Sequence, residues 1–178
     1  MRKLFALSLA ALVLAGCGSI PFLSGEIRVT ADELSQRMAR RFPVEKSVGG
    51  LLDVTLTRPN IELDAADSRL AASFDVAVKL PLTKKTHYGS LKISGRPEYD
   101  TASRSLFLRG ARVDQIRMEH MPDALSGGLA KAASGIARDV MEDKALYVFK
   151  PEDFTKYGVR YEPDRVEVRA DALVLKVK

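Results

Sequence analysis

The sequence predicts an α+β fold in which a long, strongly curved antiparallel meander wraps around a long helix in the C-terminal half, with a short helix near the start. Three observations carry this. The hydrophobic period changes from helical to two at Leu51. One alternating run, Leu70 to Leu82, is longer than an ordinary strand. An apolar helical stripe from Leu125 to Val140 then separates the meander from a closing hairpin.

Ahead of the fold, Arg2 and Lys3 precede an uncharged, mostly apolar run from Leu4 to Ala15 that ends in Leu14-Ala15-Gly16-Cys17. A run of about a dozen residues falls short of the ~20 that a spanning helix needs. It suits the apolar part of a secretory signal. The Leu-Ala-Gly-Cys stretch resembles a lipobox and supplies the only cysteine, which as a lone thiol in an oxidising compartment has no disulfide role. The expectation is a signal peptide over 1–16, a diacylglyceryl anchor on Cys17 and a lipidated spacer over 17–28. One domain follows over 29–178. Gly18 stands where an Asp would resemble an inner-membrane retention signal, which points to the outer membrane and a periplasm-facing domain. Two or three acyl chains hold a protein stably, so the domain needs no membrane-binding face of its own.

The first helix is expected at Thr30, with Glu33 completing a capping box. Leu34, Met38 and Phe42 recur at helical spacing, and Pro43 stops the helix. Leu52, Val54 and Leu56 alternate in a first strand that Pro59-Asn60 interrupts before Ile61 and Leu63. After an Asp-rich turn, Leu70, Ala72, Phe74, Val76, Val78, Leu80 and Leu82 share one face of a second strand, about 40 Å long at ~3.3 Å per residue. A third strand, Thr86 to Tyr99, turns Leu91 and Ile93 inward. The fourth changes parity between Leu106, Leu108 and Ala111, Val113, with Gly110 at the slip as a bulge requires. Pro122 opens the second helix. The tail reads as a turn at Lys150–Asp153 and a segment through Tyr157 and Tyr161. In the last hairpin Val166 and Val168 face Leu173, Leu175 and Val177.

The composition excludes several classes. Without Arg2 and Lys3, 26 basic residues stand against 23 acidic ones, a scattered excess of about +3 that does not read as a nucleic-acid surface. His87 and His120 have no ligand set around them for zinc. No Gly-x-Ser-x-Gly turn, phosphate loop or dinucleotide glycine pattern occurs, and no carboxylate pair sits in an apolar frame. The expectation is a non-enzymatic domain without cofactor or metal.

The second helix is the odd element. Ser126, Gly127, Gly128, Ala130, Ala132, Ala133, Ser134 and Gly135 are all small, and each interior Gly costs about 1 kcal/mol against Ala. Small residues let a helix approach a concave sheet closely, or they leave room there for an acyl chain.

The order of elements, with Pro97-Glu98-Tyr99-Asp100, Leu106-Phe107-Leu108, Met121-Pro122 and Ala145-Leu146-Tyr147 at their places, resembles the YceB-like family of small bacterial outer-membrane lipoproteins. That family has no assigned function and is similar to the tubular lipid-binding superfamily. The resemblance implies a curved sheet around a helix with lipid held between them. The expected ligand groove is Leu70, Phe74, Val76 and Val78 against Leu125, Leu129, Ala132, Ala133, Ile136 and Val140. The alternative is a structural or assembly lipoprotein that binds an envelope protein through the edge of the last hairpin, Val166 to Lys178.

Overall fold

The structure is a computed structural model that describes residues 25–50, 52–80, 82–120, 126–156 and 159–177. Strand β1 (Glu26–Thr30) leads straight into α1 (Ala31–Ala39). The Thr30 hydroxyl accepts the Glu33 N–H at 3.2 Å, and the Glu33 carboxylate accepts the Thr30 N–H at 3.4 Å. This reciprocal cap satisfies two amides that the helix start leaves unpaired. Leu34 and Met38 are buried. The helix stops at Ala39, so Phe42 lies beyond it and stacks on Phe74 with ring centroids 5.3 Å apart.

A meander follows: β2 (Val44–Val48), β3 (Leu52–Asp64), β4 (Arg69–Leu80), β5 (Lys85–Asp100) and β6 (Ser105–Met118). Each strand pairs with its sequence neighbour, and β7 (Tyr147–Val148) pairs with the start of β6. The sheet is curved and does not close. β4 ends at Leu80 rather than Leu82, which sits in the following turn and is 86% exposed.

The curvature has an identifiable source. β4 and β5 keep one register from Leu70 opposite Gly95 to Leu80 opposite Lys85. The strands on either side carry extra residues. In β3, Arg58 and Pro59 together oppose Phe74, between the pairs Thr57–Asp75 and Asn60–Ser73. Pro59 has no N–H to lose there, and Arg58 takes φ 49°. In β6, Gly110 and Ala111 oppose Gly95, and Asp114 is a second extra residue between Val113 and Gln115. Gly110 has φ 59°, the left-handed conformation that glycine adopts without steric cost. Bulges of this kind bend the strand that carries them and increase its twist.

The inward faces of β4, β5 and β6 supply Leu70, Ala72, Phe74, Val76, Val78, Leu91, Ile93, Leu106 and Leu108, all at most 3% exposed. α1 packs over β3, and α2 (Ser126–Ala137) covers the β6 side. From Arg138 to Glu142 the helix widens into a π-turn, in which the Asp143 N–H donates to the Arg138 carbonyl at 3.0 Å. A 3-10 turn (Pro151–Phe154) and the short pair β8 (Thr155–Lys156) and β9 (Val159–Arg160) lead to β10 (Pro163–Val168) and β11 (Ala172–Val177). Val166 pairs with Leu175 and Val168 with Leu173, the expected hairpin.

Two strands depart from expectation. The expected spacer extends to Arg28, yet β1 begins at Glu26 and pairs with β11 along its whole length. β2 had no strand assigned, yet it pairs with the first half of β3. Each offers only two apolar residues within five, too few for a period to register.

Candidate functional site

The inner face of the meander and the face of α2 above it form the expected site. Leu70, Phe74, Val76 and Val78 stand in alternation on β4, with Leu91 opposite Phe74. From above come Leu129, Ala132, Ala133, Ile136 and Val140, between 2% and 8% exposed. Ala137 at 1% and Met141 at 0% complete this face beyond the expected set. Leu125 and Pro122 lie outside the described residues, as do the expected signal segment and Cys17.

Of the expected residues, Leu70, Phe74, Val76, Val78, Leu129, Ala133, Ile136 and Val140 belong to one buried cluster, which is closed in this structure. Two open depressions lie on the outside of the sheet. One, of about 480 Å³, is lined by Arg58, Asp75, Tyr88, Arg117 and Glu119, with Val76 at its margin. The other, of about 390 Å³, is polar and lined by Glu62, Asp64, Arg69, Lys92, Arg112 and Asp114. Neither is lined by any α2 residue.

The small residues of α2 divide between two roles. Ala132, Ala133 and Ala137 face inward and let the helix lie close to the sheet. Gly127 and Gly135 face outward, where an added Cβ would meet nothing within 4 Å, and Gly128 comes near only the Leu52 side chain at 3.9 Å. The glycines serve no close approach. Gly135, in the helix interior, weakens the helix by about 1 kcal/mol relative to alanine, while Gly127 and Gly128 stand in its first turn.

The polar ties recorded between α2 and the sheet gather at the π-turn. Lys46 pairs with Asp139 at 2.8 Å, and the Gly110 N–H donates to the Glu142 carboxylate at 3.2 Å. Along Ser126–Ala137 the recorded polar side-chain bond is internal, from the Ser134 hydroxyl to the Ala130 carbonyl. Beside the π-turn, Tyr147 receives the Arg37 guanidinium over its ring at 3.9 Å, and Arg37 also donates to its hydroxyl at 3.0 Å. Burial raises the Tyr147 phenol above its ordinary range, against the opposing pull of the Arg37 charge. No described helix is long and apolar enough to cross a membrane.

The last hairpin, whose edge is the expected place for a protein partner, presents that edge on β10 and not on β11. β11 is the central strand of its sheet, hydrogen-bonded to β1 on one side and β10 on the other. Its Ala172, Leu173, Val174 and Leu175 are at most 2% exposed. The strand cannot offer a free edge, and β10 takes that position with Asp164, Arg165 and Glu167 along it, charges that discourage pairing.

A family described as "Protein of unknown function (DUF1439)" matches residues 29–172, from β1 to the first residue of β11. The chain belongs to this family. In DUF1439 terms, the match spans the whole meander, both helices and the start of the last strand. No curated protein matches the chain. A solved structure described as "Crystal structure of lipopolysaccharide binding protein" is similar at 13% identity and a TM-score of 0.35, over 87% of this chain and 50% of its own. This DUF1439 chain thus spans about half the length of that structure.

Proposed function

We propose that this DUF1439 chain is a YceB-like lipoprotein of the outer membrane, held there by an acylated Cys17 and facing the periplasm. It acts without catalysis by binding a lipid or other hydrophobic ligand between α2 and the curved sheet. The observation that supports this is the character of α2 as a cover. It closes a continuous apolar face, its glycines weaken it from the outside, and among the described residues its polar ties to the sheet lie at its C-terminal π-turn. A helix fixed at one end can lift from the other, and the face it leaves would take an acyl chain at about 0.8 kcal/mol per buried methylene.

The test is native mass spectrometry of residues 18–178 purified without detergent, followed by lipid extraction, for the parent and Ala133→Phe. A co-purified lipid in the parent, absent from a variant with unchanged melting temperature, is the expected outcome. The added ring then occupies space that the ligand would fill. In a permanently dry core the same ring overpacks and destabilises by about 1–3 kcal/mol. A clean apo mass for the parent, with no uptake of fatty acid or phospholipid and a destabilised variant, refutes the reading.

A further inference from the structure

The turn between β4 and β5 carries the most exposed large apolar residue of the described chain, Leu82, at 86%. Lys84 and Lys85 follow it, and Lys79 precedes it on β4; all three are exposed. Between Asp75 and Glu98 the sequence holds no acidic residue. Across the sheet Asp53 stands opposite Lys79, but its carboxylate accepts the Ser47 hydroxyl at 2.7 Å. Glu119 lies beside β5 through its N–H, which donates to the Tyr88 carbonyl. Among the described residues no carboxylate comes within ion-pair distance of Lys79, Lys84 or Lys85. Other strand lysines are paired: Lys92 with Glu62 and Lys46 with Asp139 in the same sheet, and Lys176 with Glu26 in the smaller one. Tyr88, 63% exposed, stands farther back on the outer face of β5.

An apolar apex with a collar of unpaired lysines and a tyrosine behind it suits one environment, the interface of an anionic bilayer. There the leucine enters the acyl boundary, the ammonium groups meet phosphates, and the tyrosine ring sits toward the headgroups. We infer that the β4–β5 tip is a membrane-contact site that inserts Leu82 into anionic phospholipid. The contact is separate from the N-terminal anchor and from the ligand reading above. It gives the domain the membrane-binding face that the sequence reading had considered unnecessary.

The chain contains no tryptophan, so Leu82→Trp in the full chain is a silent-background reporter at an exposed position. With vesicles of phosphatidylcholine and phosphatidylglycerol, its emission is expected to shift to the blue and to be quenched by lipids brominated near the headgroup. Phosphatidylcholine alone should give neither effect, and high salt should reverse both. Adding Lys84→Gln and Lys85→Gln should weaken insertion about fivefold per lysine, about 25-fold together, with unchanged circular dichroism. Solvent-like emission on anionic vesicles overturns the proposal, as does an equal shift on neutral ones. Lipid retained in the mass spectrum alongside solvent-like emission would refute the tip alone. An empty core alongside a blue-shifted tip would refute the ligand reading alone.

Discussion

At the scale of single residues, Glu26 is the most constrained charge. Its carboxylate accepts from Lys176, and from Arg169 at 2.9 and 3.1 Å, while its side chain is 14% exposed. The hydrogen bonds from Lys176, then those from Arg169, hold its pKa below the ordinary carboxylate range. The hydrogen bond to Glu26 likewise raises the Arg169 guanidinium. A carboxylate depressed in the folded state contributes stability above its unfolded pKa, and that contribution is lost as pH falls through the folded value. The melting temperature should therefore be insensitive to this group at neutral pH and decline in acid. Glu26→Gln should lower the neutral value and flatten the acid limb. An acid limb of equal steepness in both proteins would show that the group does not couple to folding. None of this was legible in the sequence, because Arg169 and Lys176 lie 143 and 150 positions from Glu26 and meet it only through the register of β1, β11 and β10.

At the scale of elements, what was legible followed from local chemistry. Thr30 and Glu33 announced α1, the alternation from Leu70 announced β4, and the parity change at Gly110 announced a bulge, because each signal lies within a few residues of its cause. The bulge at Asp114 gave no signal, since an Asp among Arg112, Gln115 and Arg117 reads as ordinary solvated strand surface. The lysines of the β4–β5 tip were counted as scattered charge because pairing, not composition, distinguishes them. The sheet also has a sharp steric requirement at Gly89. A Cβ there would lie 2.0 Å from the Arg117 carbonyl oxygen and 2.6 Å from the Met118 sulfur. Since the nearest atom belongs to the backbone of β6, Gly89→Ala should force the two strands apart and cost about 1–3 kcal/mol. Denaturant titration measures this, and an unchanged midpoint would mean that the β5–β6 spacing relaxes there without cost.

At the scale of the molecule, the core joins the two larger sheets, both helices and the aromatic group Tyr99, Tyr147, Phe149 and Phe154 into one cluster. The candidate site was legible as a set of residues because its members face one way on a strand and a helix. Its closed state was not legible, since whether two apolar faces touch or part depends on what holds the helix down. Removing Ala172 to Lys178 deletes the central strand of the smaller sheet. Leu173, Val174 and Leu175 alone contribute roughly 5–9 kcal/mol by burial, comparable with a typical domain's entire stability of about 5–15 kcal/mol. The truncated chain should lose its cooperative thermal transition by circular dichroism. Retention of that transition would make the smaller sheet an independent appendage.

The pairing of β1 with β11 also sets an order of events. The Val177 N–H donates to the Gly25 carbonyl at 2.7 Å, so the two ends of the folded region touch. Among the described strands, the one that completes the smaller sheet follows all the others in the chain, and its partner β1 precedes them. A nascent chain therefore waits, with Ile27 and Val29 unpaired, until β11 emerges, and a closure over such a separation is slow. The same contact makes the domain close to a ring. A short linker from residue 177 to residue 25 would leave every strand its partners, and new ends could be opened at any exposed turn.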